Sequence, residues 1–345
     1  MLSQKKSSAT IRDVARRAGI SVATVSRFVN RTVPVSKDVA GRIQDAMSEL
    51  NYVPRAAARS LATSKTNTLG FLLSDISGDF FTPLLAGVEN VTRLSGFNLL
   101  ISTSTSDNPG NEFQLPLGSH NTDGLLIFTD SLDEAILSRL YEAGLPMVFI
   151  HQSPPDSMSI PCVTVENKAA SAKIVEHLIT VHQRRRIVFM SGPARHEDSH
   201  WRQTGYCQAL DLHNIPYDPE LILQGDFDRG VAQASLAQFI SAGGEFDAVF
   251  SGDDESAIGV LAALQAAGKR VPEDVSVVGF DDQRLSAFLN PPLTTVRAPT
   301  EDVGRTAARQ LIRLIRTGEA DRLTLLPTEI ILRRSCGCLG GYSAS

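Results

Sequence analysis

The pattern of apolar positions in the first fifty residues predicts three short helices. In the first, the apolar side chains lie on one face behind an expected N-cap at Thr10. They are Ile11, Val14, Ala15 and Ala18. A turn containing Gly19 leads into the second helix, from about Val22 to Val29, and a third begins near Ser36. Two short helices joined by such a turn are typical of a helix-turn-helix, whose second helix enters the major groove of DNA.

From Thr68 the pattern changes to short apolar runs separated by longer amphipathic stretches. Eight runs are predicted to be strands: Leu69–Leu73, Leu99–Ile101, Gly124–Phe128, Met147–Ile150, Val163–Val165, Ile187–Met190, Ala248–Phe250 and Val275–Phe280. Runs that are apolar throughout are typical of parallel strands covered by helices on both faces. Because eight strands exceed one small sheet, we predict two doubly wound parallel-sheet lobes with a small-molecule site between them.

The net charge of the helical head differs in sign from that of the rest of the chain. Residues 1–61 carry eleven Lys/Arg and four Asp/Glu, a net charge of +7, whereas the remaining residues carry 22 and 34, a net charge of −12. A basic head on an acidic body indicates that the head alone binds nucleic acid.

Length and composition narrow the class of protein. A chain of 345 residues, 42% hydrophobic and 21% charged, suits a globular protein of two or three domains. No apolar run approaches the roughly 20 residues of a membrane span, and the first residues lack a signal-peptide pattern. We therefore expect a cytoplasmic protein without membrane contact. The four cysteines show no zinc-ligand spacing, so we assign Cys336 and Cys338 no function and expect no metal and no cofactor.

Two runs in the head carry a specific resemblance. The stretches TIRDVARRAGISVATVSR at 10–27 and LNYVPRAAARSL at 50–61 resemble the head and hinge of the lactose/galactose repressor (LacI/GalR) family of bacterial transcription regulators. The resemblance continues through 75–81, 271–281 and 292–296. It implies an N-terminal all-α helix-turn-helix head followed by an α/β core of two lobes, similar to a periplasmic binding protein.

The resemblance also implies a domain division. Residues 1–53 are expected to form the DNA-binding domain, 54–63 a hinge helix and linker, 64–336 the effector-binding and dimerisation domain, and 337–345 a tail. Because the family's chain crosses between lobes three times, lobe one is expected at about 64–162 and 297–322, and lobe two at 163–296 and 323–336.

Base reading in this family comes from the first turn of the second helix and from an arginine one turn later. The matching positions are Val22, Ala23 and Arg27. Arg27 can donate two hydrogen bonds to a guanine edge, whereas the other two can contact only apolar features such as a thymine methyl. The remaining DNA-binding candidates in the head are Thr10, Thr24, Ser26 and Asn30, of which the last three suit phosphates. A solvated surface position for Arg27 stays open as the alternative.

The segment Arg55 to Leu61 is too short to stay helical alone in water. In the family, two such hinge helices pair across a dimer axis and push a leucine, here Leu61, into the minor groove, which kinks the duplex. Ala58 and Arg59 match the same pattern and are DNA-binding candidates. The alternative is a plain linker in which Leu61 packs on its own domain.

Seven core positions match the family's effector contacts: Phe80, Phe81, Asp198, Arg202, Phe227, Asp253 and Asp281. Flat rings can stack on a sugar or a base, and we expect Arg202 and Asp281 on opposite edges of the cleft to bind several hydroxyls at once. Core packing of the rings and an interlobe salt bridge between Arg202 and Asp281 stay open as alternatives. His151 and Gln152 depart from the family pattern and are not counted, and Trp201 either lines the pocket or packs outside it.

The resulting hypothesis is a homodimeric repressor of carbohydrate-utilisation genes. It would bind a pseudo-palindromic operator and respond to a sugar or sugar-phosphate effector, with a purine or another metabolite as the alternative ligand. The core alone would also permit a sugar-binding transport protein, but the basic head argues against that class. An enzyme is the third class; Asp253, Asp254 and Asp281 offer carboxylates, yet no catalytic motif accompanies them, so we assign no catalytic residue.

Overall fold

The computed structural model describes residues 9–30, 33–52, 65–103 and 117–339, and the backbone of 343–344. The chain separates into two compact units, residues 1–67 and 68–345. The hinge candidates Ala58, Arg59 and Leu61 lie outside the described residues. Within the described ranges, no helix is both long enough and apolar enough to cross a bilayer.

Three helices form the head: α1 (Ile11–Ala18), α2 (Val22–Asn30) and α3 (Lys37–Glu49). Thr10 and Asp13 close a capping box at the start of α1, and Gly19, with φ of 66°, ends that helix in the left-handed region. The helices enclose a small apolar core of Val14, Ala15, Ala18, Val25, Ile43 and Ala46. From α3, the Arg42 guanidinium donates a 2.7 Å hydrogen bond to the carbonyl of Ala18, which fixes the third helix against the turn. The predicted helix-turn-helix is confirmed.

The core alternates strands and helices. In chain order its elements are β1 (Thr68–Leu73), α4 (Phe81–Leu94), β2 (Asn98–Thr103), β3 (Gly124–Phe128), α5 (Glu134–Glu142), β4 (Met147–Ile150), β5 (Cys162–Val165), α6 (Asn167–Thr180), β6 (Ile187–Ser191), α7 (Glu197–Leu212), β7 (Ile222–Gln224), α8 (Arg229–Ser241), β8 (Ala248–Ser251), α9 (Asp254–Ala266), β9 (Ser276–Asp281), β10 (Thr294–Arg297), α10 (Thr300–Thr317), β11 (Leu323–Leu326), β12 (Glu329–Ile331) and β13 (Ser343–Ala344). The eight predicted apolar runs fall on β1 to β6, β8 and β9.

These strands form two sheets. The first has the order β11-β5-β4-β3-β1-β2, and its described pairs are all parallel. The second has the order β13-β12-β10-β9-β8-β6-β7 and is parallel except where β12 pairs with β10 and β13. The predicted fold class, an all-α head with an α/β core of two parallel-sheet lobes, is therefore confirmed.

The sheet order places two lobe crossings later than the sequence-based boundaries at 162/163 and 322/323. Strands β5 and β11 pair with each other and belong to the first sheet, so the chain leaves that lobe after Val165 and again after Leu326. Parallel strands present the same end at the same edge of a sheet. Six strands therefore point their carboxyl ends toward one cavity: β1, β3, β6, β7, β8 and β9.

Candidate DNA-reading helix and effector cleft

Helix α2 presents the predicted base-reading side chains to solvent. Val22 is 43% exposed, and Ala23 and Arg27 are also exposed, whereas Val25 on the opposite face is fully buried. Among the residues that the structure describes, none forms an ion pair with Arg27. An apolar side chain and an unpaired guanidinium on one open face can approach base edges in a major groove.

The polar candidates of the head hold its backbone together. The Thr10 hydroxyl donates a hydrogen bond to Asp13 Oδ2 at 2.7 Å and accepts one from the backbone amide of Asp13. The hydroxyls of Ser21 and Thr24 lie 2.8 Å apart, and Asn30 donates to the Ser26 hydroxyl at 3.2 Å. These bonds orient Thr24 and Ser26 at the surface of α2, so a phosphate contact from either would use their remaining hydrogen-bonding capacity.

All seven predicted effector residues line one cavity of about 440 Å³ between the two sheets. Phe80 and Phe81 come from the start of α4, Asp198 and Arg202 from α7, and Phe227 from the loop after β7. Asp253 follows β8, and Asp281 ends β9. The structure thus brings together side chains from five separate stretches of the chain, although their role in binding stays a prediction.

Arg202 is the buried centre of the cavity wall. Its guanidinium donates to Asn167 Oδ1 at 2.9 Å, to the carbonyl of Gly252 at 2.5 Å and to Asp281 Oδ1 at 3.3 Å. The ring of Phe280 lies beneath it, with 3.8 Å between the guanidinium carbon and the ring centroid. A guanidinium held by three hydrogen bonds and an aromatic face has a fixed orientation toward a ligand.

The structure corrects the expected position of the Arg202–Asp281 pair. We expected the two side chains on opposite edges of the cleft or as an interlobe salt bridge, but α7 and β9 both belong to the second lobe. The pair therefore forms one wall rather than a bridge. The reason is topological, because α7 begins directly after β6 and β9 ends near the same edge of that sheet.

One of the contacts that do join the lobes involves a residue outside the family pattern. His151, directly after β4 of the first lobe, places Nδ1 2.8 Å from Asp198 Oδ2 on α7 of the second lobe. Burial alone would raise the pKa of Asp198, but its contact with His151 and the nearby charge of Arg202 hold that pKa below its ordinary value. Asp198 is therefore a carboxylate that faces the cavity and also holds the lobes together.

Two neighbouring carboxyl groups behave in the opposite way. Burial, together with the charge of Asp281, raises the pKa of Asp253 to about 7. Burial also raises the pKa of Asp281 above its ordinary value, although Arg202 acts against that shift. Asp253 accepts the amide of Ser256 at 3.0 Å as the N-cap of α9. Perturbed carboxyl groups that point into a cleft are characteristic of ligand-binding sites.

The cavity contains more carboxylates than sequence reasoning found. Besides Asp198, Asp253 and Asp281, its lining includes Asp75, Asp79, Asp226, Asp228 and Glu255. Two arginines offset them, and one of these, Arg229, is already paired with Glu255. The excess of negative charge comes from acidic loops at the strand ends. The family pattern names only some of the residues in these loops as effector contacts.

Three other candidates lie apart from the cavity lining. Trp201 is partly exposed and donates to Glu197 Oε1 at 2.9 Å, and Gln152 accepts the amide of Asp130 at 3.2 Å. Asp254, considered for acid–base chemistry, is fully buried and accepts from Gln283, Ser286 and Thr295. A carboxyl group enclosed by three donors stabilises the loops around it and is not open to a substrate.

Comparison with known proteins agrees with this geometry. Residues 10–55 match the family described as "Bacterial regulatory proteins, lacI family", and residues 175–336 match "Periplasmic binding protein-like domain". The HTH-type transcriptional regulator RegA of Clostridium saccharobutylicum is 33% identical over 330 residues, which span 94% of this chain and 98% of RegA.

Solved structures extend the similarity to three dimensions. A complex of the transcriptional regulator CelR with cellobiose is 30% identical, with a TM-score of 0.72 over 95% of this chain and 99% of that one. The lac repressor dimer bound to operator and the anti-inducer ONPF is 25% identical, with a TM-score of 0.82 over 96% and 99%. With an exposed recognition helix, a two-lobed core and similarity along nearly its whole length, the chain belongs to the LacI family of DNA-binding transcription regulators that respond to small-molecule effectors.

Proposed function

We propose that the chain is a repressor of carbohydrate-utilisation genes whose effector is an uncharged sugar bound in the cavity between the lobes. The observation that carries this proposal is the combination of aromatic rings with fixed polar groups in one cavity. Phe80, Phe81 and Phe128 meet edge to face, with centroids 5.3 to 6.0 Å apart. Opposite them lie Arg202 and its carboxylate partners. Rings suit the apolar face of a sugar, and carboxylates accept hydrogen bonds from its hydroxyl groups.

The charge of the cavity selects among sugar-like ligands. Eight carboxyl groups line it against two arginines, so a phosphate ester would meet repulsion from most directions. A neutral sugar carries hydroxyls that donate to these oxygens without adding charge. We therefore place neutral sugars ahead of the sugar phosphates that the sequence left open.

Two similarities support the remaining parts of the proposal. The related CelR structure contains cellobiose, and the related lac repressor is a dimer on operator DNA. In this chain the large apolar side chains of Leu94 and Phe288 are 73% and 84% exposed, and a dimer interface could cover them. We propose a homodimer on a pseudo-palindromic operator, because two-fold symmetry doubles the surface of one short recognition helix.

A ligand panel tests the effector. The full chain is screened by thermal shift against neutral mono- and disaccharides, their phosphate esters and purine bases, and hits are measured by calorimetry. We expect a stabilising neutral sugar that is recovered chemically unchanged and that alters operator affinity. Stabilisation only by a phosphate ester or a purine would overturn the neutral-sugar proposal, and turnover of the sugar would overturn the non-enzymatic role.

A further inference from the structure

Four metal-binding side chains meet on the second lobe, away from the cavity. His177 lies in the last turn of α6 and His182 in the loop just after it, while Cys336 and Cys338 follow β12 near the end of the chain. The ligand atoms of all four lie within 4.8 Å of one another. Sequence reasoning gave these cysteines no function, because their partners are far away along the chain and only the fold brings them together.

Three of the four ligand atoms have the separations of a tetrahedral metal site. The two Nε2 atoms are 3.2 Å apart, and Cys338 Sγ lies 3.5 Å from each of them. Zinc bond lengths of about 2.05 Å to nitrogen and 2.3 Å to sulfur give tetrahedral edges of about 3.3 Å between nitrogens and about 3.6 Å between nitrogen and sulfur. An ion therefore fits among these atoms without rearrangement of the three side chains.

We propose that His177, His182, Cys336 and Cys338 bind one structural Zn²⁺ ion. Two thiolates with two imidazoles in a tetrahedron favour zinc among the common biological metals. Binding displaces the two thiol protons to solvent, and the two thiolates then balance the charge of the ion. With four protein ligands the site has no open position, so its role is structural and not catalytic.

The surroundings of the cluster are built to hold it. Cys336 is fully buried, its Sγ accepts a hydrogen bond from the Thr294 hydroxyl at 3.1 Å, and its carbonyl accepts from Ser276 at 2.8 Å. Gly337 between the two cysteines has a φ of 113°, and a Cβ atom there would lie 2.9 Å from His182 Nδ1. Only glycine brings both sulfurs to the histidines at this position.

The proposed ion would hold the segment that follows β12 against the second lobe. Cys338 lies 156 residues from His182 in sequence, so the ion would close a very long loop and join the segment after β12 to the end of α6. This role is independent of the effector, so the failure of one proposal leaves the other intact.

The experiment uses untagged full-length protein purified with a thiol reductant and without chelator. Metal analysis is expected to give one zinc per chain for the wild type and for Cys207→Ser, a control that alters a cysteine outside the cluster. Cys338→Ser should lose the zinc while keeping its circular dichroism spectrum. A chelator should lower the melting temperature of the wild type and the control but leave that of Cys338→Ser unchanged.

Cobalt substitution decides the question even where the variant fails to fold. Co²⁺ added to chelator-treated wild type should give the strong d–d bands of a tetrahedral site together with thiolate charge-transfer absorption. Weak octahedral bands, absence of zinc from the wild type, zinc retained by Cys338→Ser, or a Cys336–Cys338 disulfide found by mass spectrometry would each overturn the proposal.

Discussion

At the scale of single residues, mutation of Arg27 can distinguish a contact with base edges from a contact with phosphates only. This side chain is exposed on α2, and Arg27→Ala should weaken binding to the specific operator by about 1–3 kcal/mol and relax specificity at one base pair per half-site. Arg16→Ala is the matched control, because Arg16 is 81% exposed on α1 and carries the same charge. Titrations of operator and random DNA measure both, and equal losses on the two DNAs for Arg27→Ala would show that it contacts only phosphate.

The buried carboxyl of Asp253 should make the stability of the core depend on pH. Its pKa of about 7 lies above the ordinary value of 3.8, so between these pH values the native chain holds a proton that the unfolded chain has lost. The free energy of unfolding should therefore fall as pH rises from about 4 to about 7, by roughly 1.4 kcal/mol for each pH unit in that range. Asp253→Asn keeps a capping side chain and should flatten that part of the profile.

Urea unfolding of the core at several pH values measures this slope. Asp211→Asn serves as the control, because Asp211 is an exposed carboxylate of α7. An unchanged slope in Asp253→Asn, with the control equal to the wild type, would mean that Asp253 is ionised throughout the range.

Single residues of the site could be predicted only where a family pattern named them. Each of the seven effector candidates lines the cavity, but Asp228 and Glu255 line it as well and carry no signal in the sequence beyond their charge. His151 departs from the family pattern, yet it is a first-lobe partner of Asp198. Carboxyl groups at strand ends are common on protein surfaces, so only the folded sheet shows which of them share a cavity.

At the scale of secondary structure elements, α4 and α10 are held in very close contact by two glycines. A Cβ atom at Gly87 would collide with the carbonyl of Glu301, and one at Gly304 with the carbonyl of Leu84. Gly87→Ala should therefore force the helices apart and lower the stability of the core by about 1–3 kcal/mol. Gly41→Ala, in α3 with open space around it, should instead stabilise the head by about 0.5–1 kcal/mol.

Denaturant unfolding followed by circular dichroism measures the core, and hydrogen exchange of α3 amides measures the head. A neutral effect of Gly87→Ala would show that the helices separate at little cost. A destabilising effect of Gly41→Ala would mean that α3 tolerates no side chain at that position.

Elements were predictable where burial was continuous. Strands β1, β3 and β9 are buried along their whole length, and most of their residues are apolar. β7, β11 and β12 have no such run, because they are short or half-exposed strands toward the sheet edges, and β10 contains two threonines and an arginine. The boundary between lobes depends on the pairing of β5 with β11, which no local pattern contains.

At the scale of the whole molecule, we expect the cavity to couple ligand binding to the relation between the lobes. Arg202 and Asp281 form a wall of the second lobe, whereas Phe80 and Phe81 belong to the first, so a ligand that contacts both sets favours the closed arrangement. An effector shifts such an equilibrium only through its different affinity for the two arrangements. Operator and effector must then change each other's affinity by the same factor, typically 1–3 kcal/mol.

Asp281→Asn tests this coupling. Asn retains an acceptor for Arg202 and tolerates the positive φ of 104° at this position better than most residues, so the fold should persist. Because the variant lacks the charge proposed to hold the ligand hydroxyls, effector affinity should fall at least about tenfold, or 1.4 kcal/mol. Operator affinity without effector should stay unchanged, since the substitution lies in the core and the predicted base-reading side chains lie in α2. Calorimetry with the identified sugar and operator titration with and without it measure the two affinities; normal effector binding by the variant, or unequal coupling factors in the wild type, would contradict the mechanism.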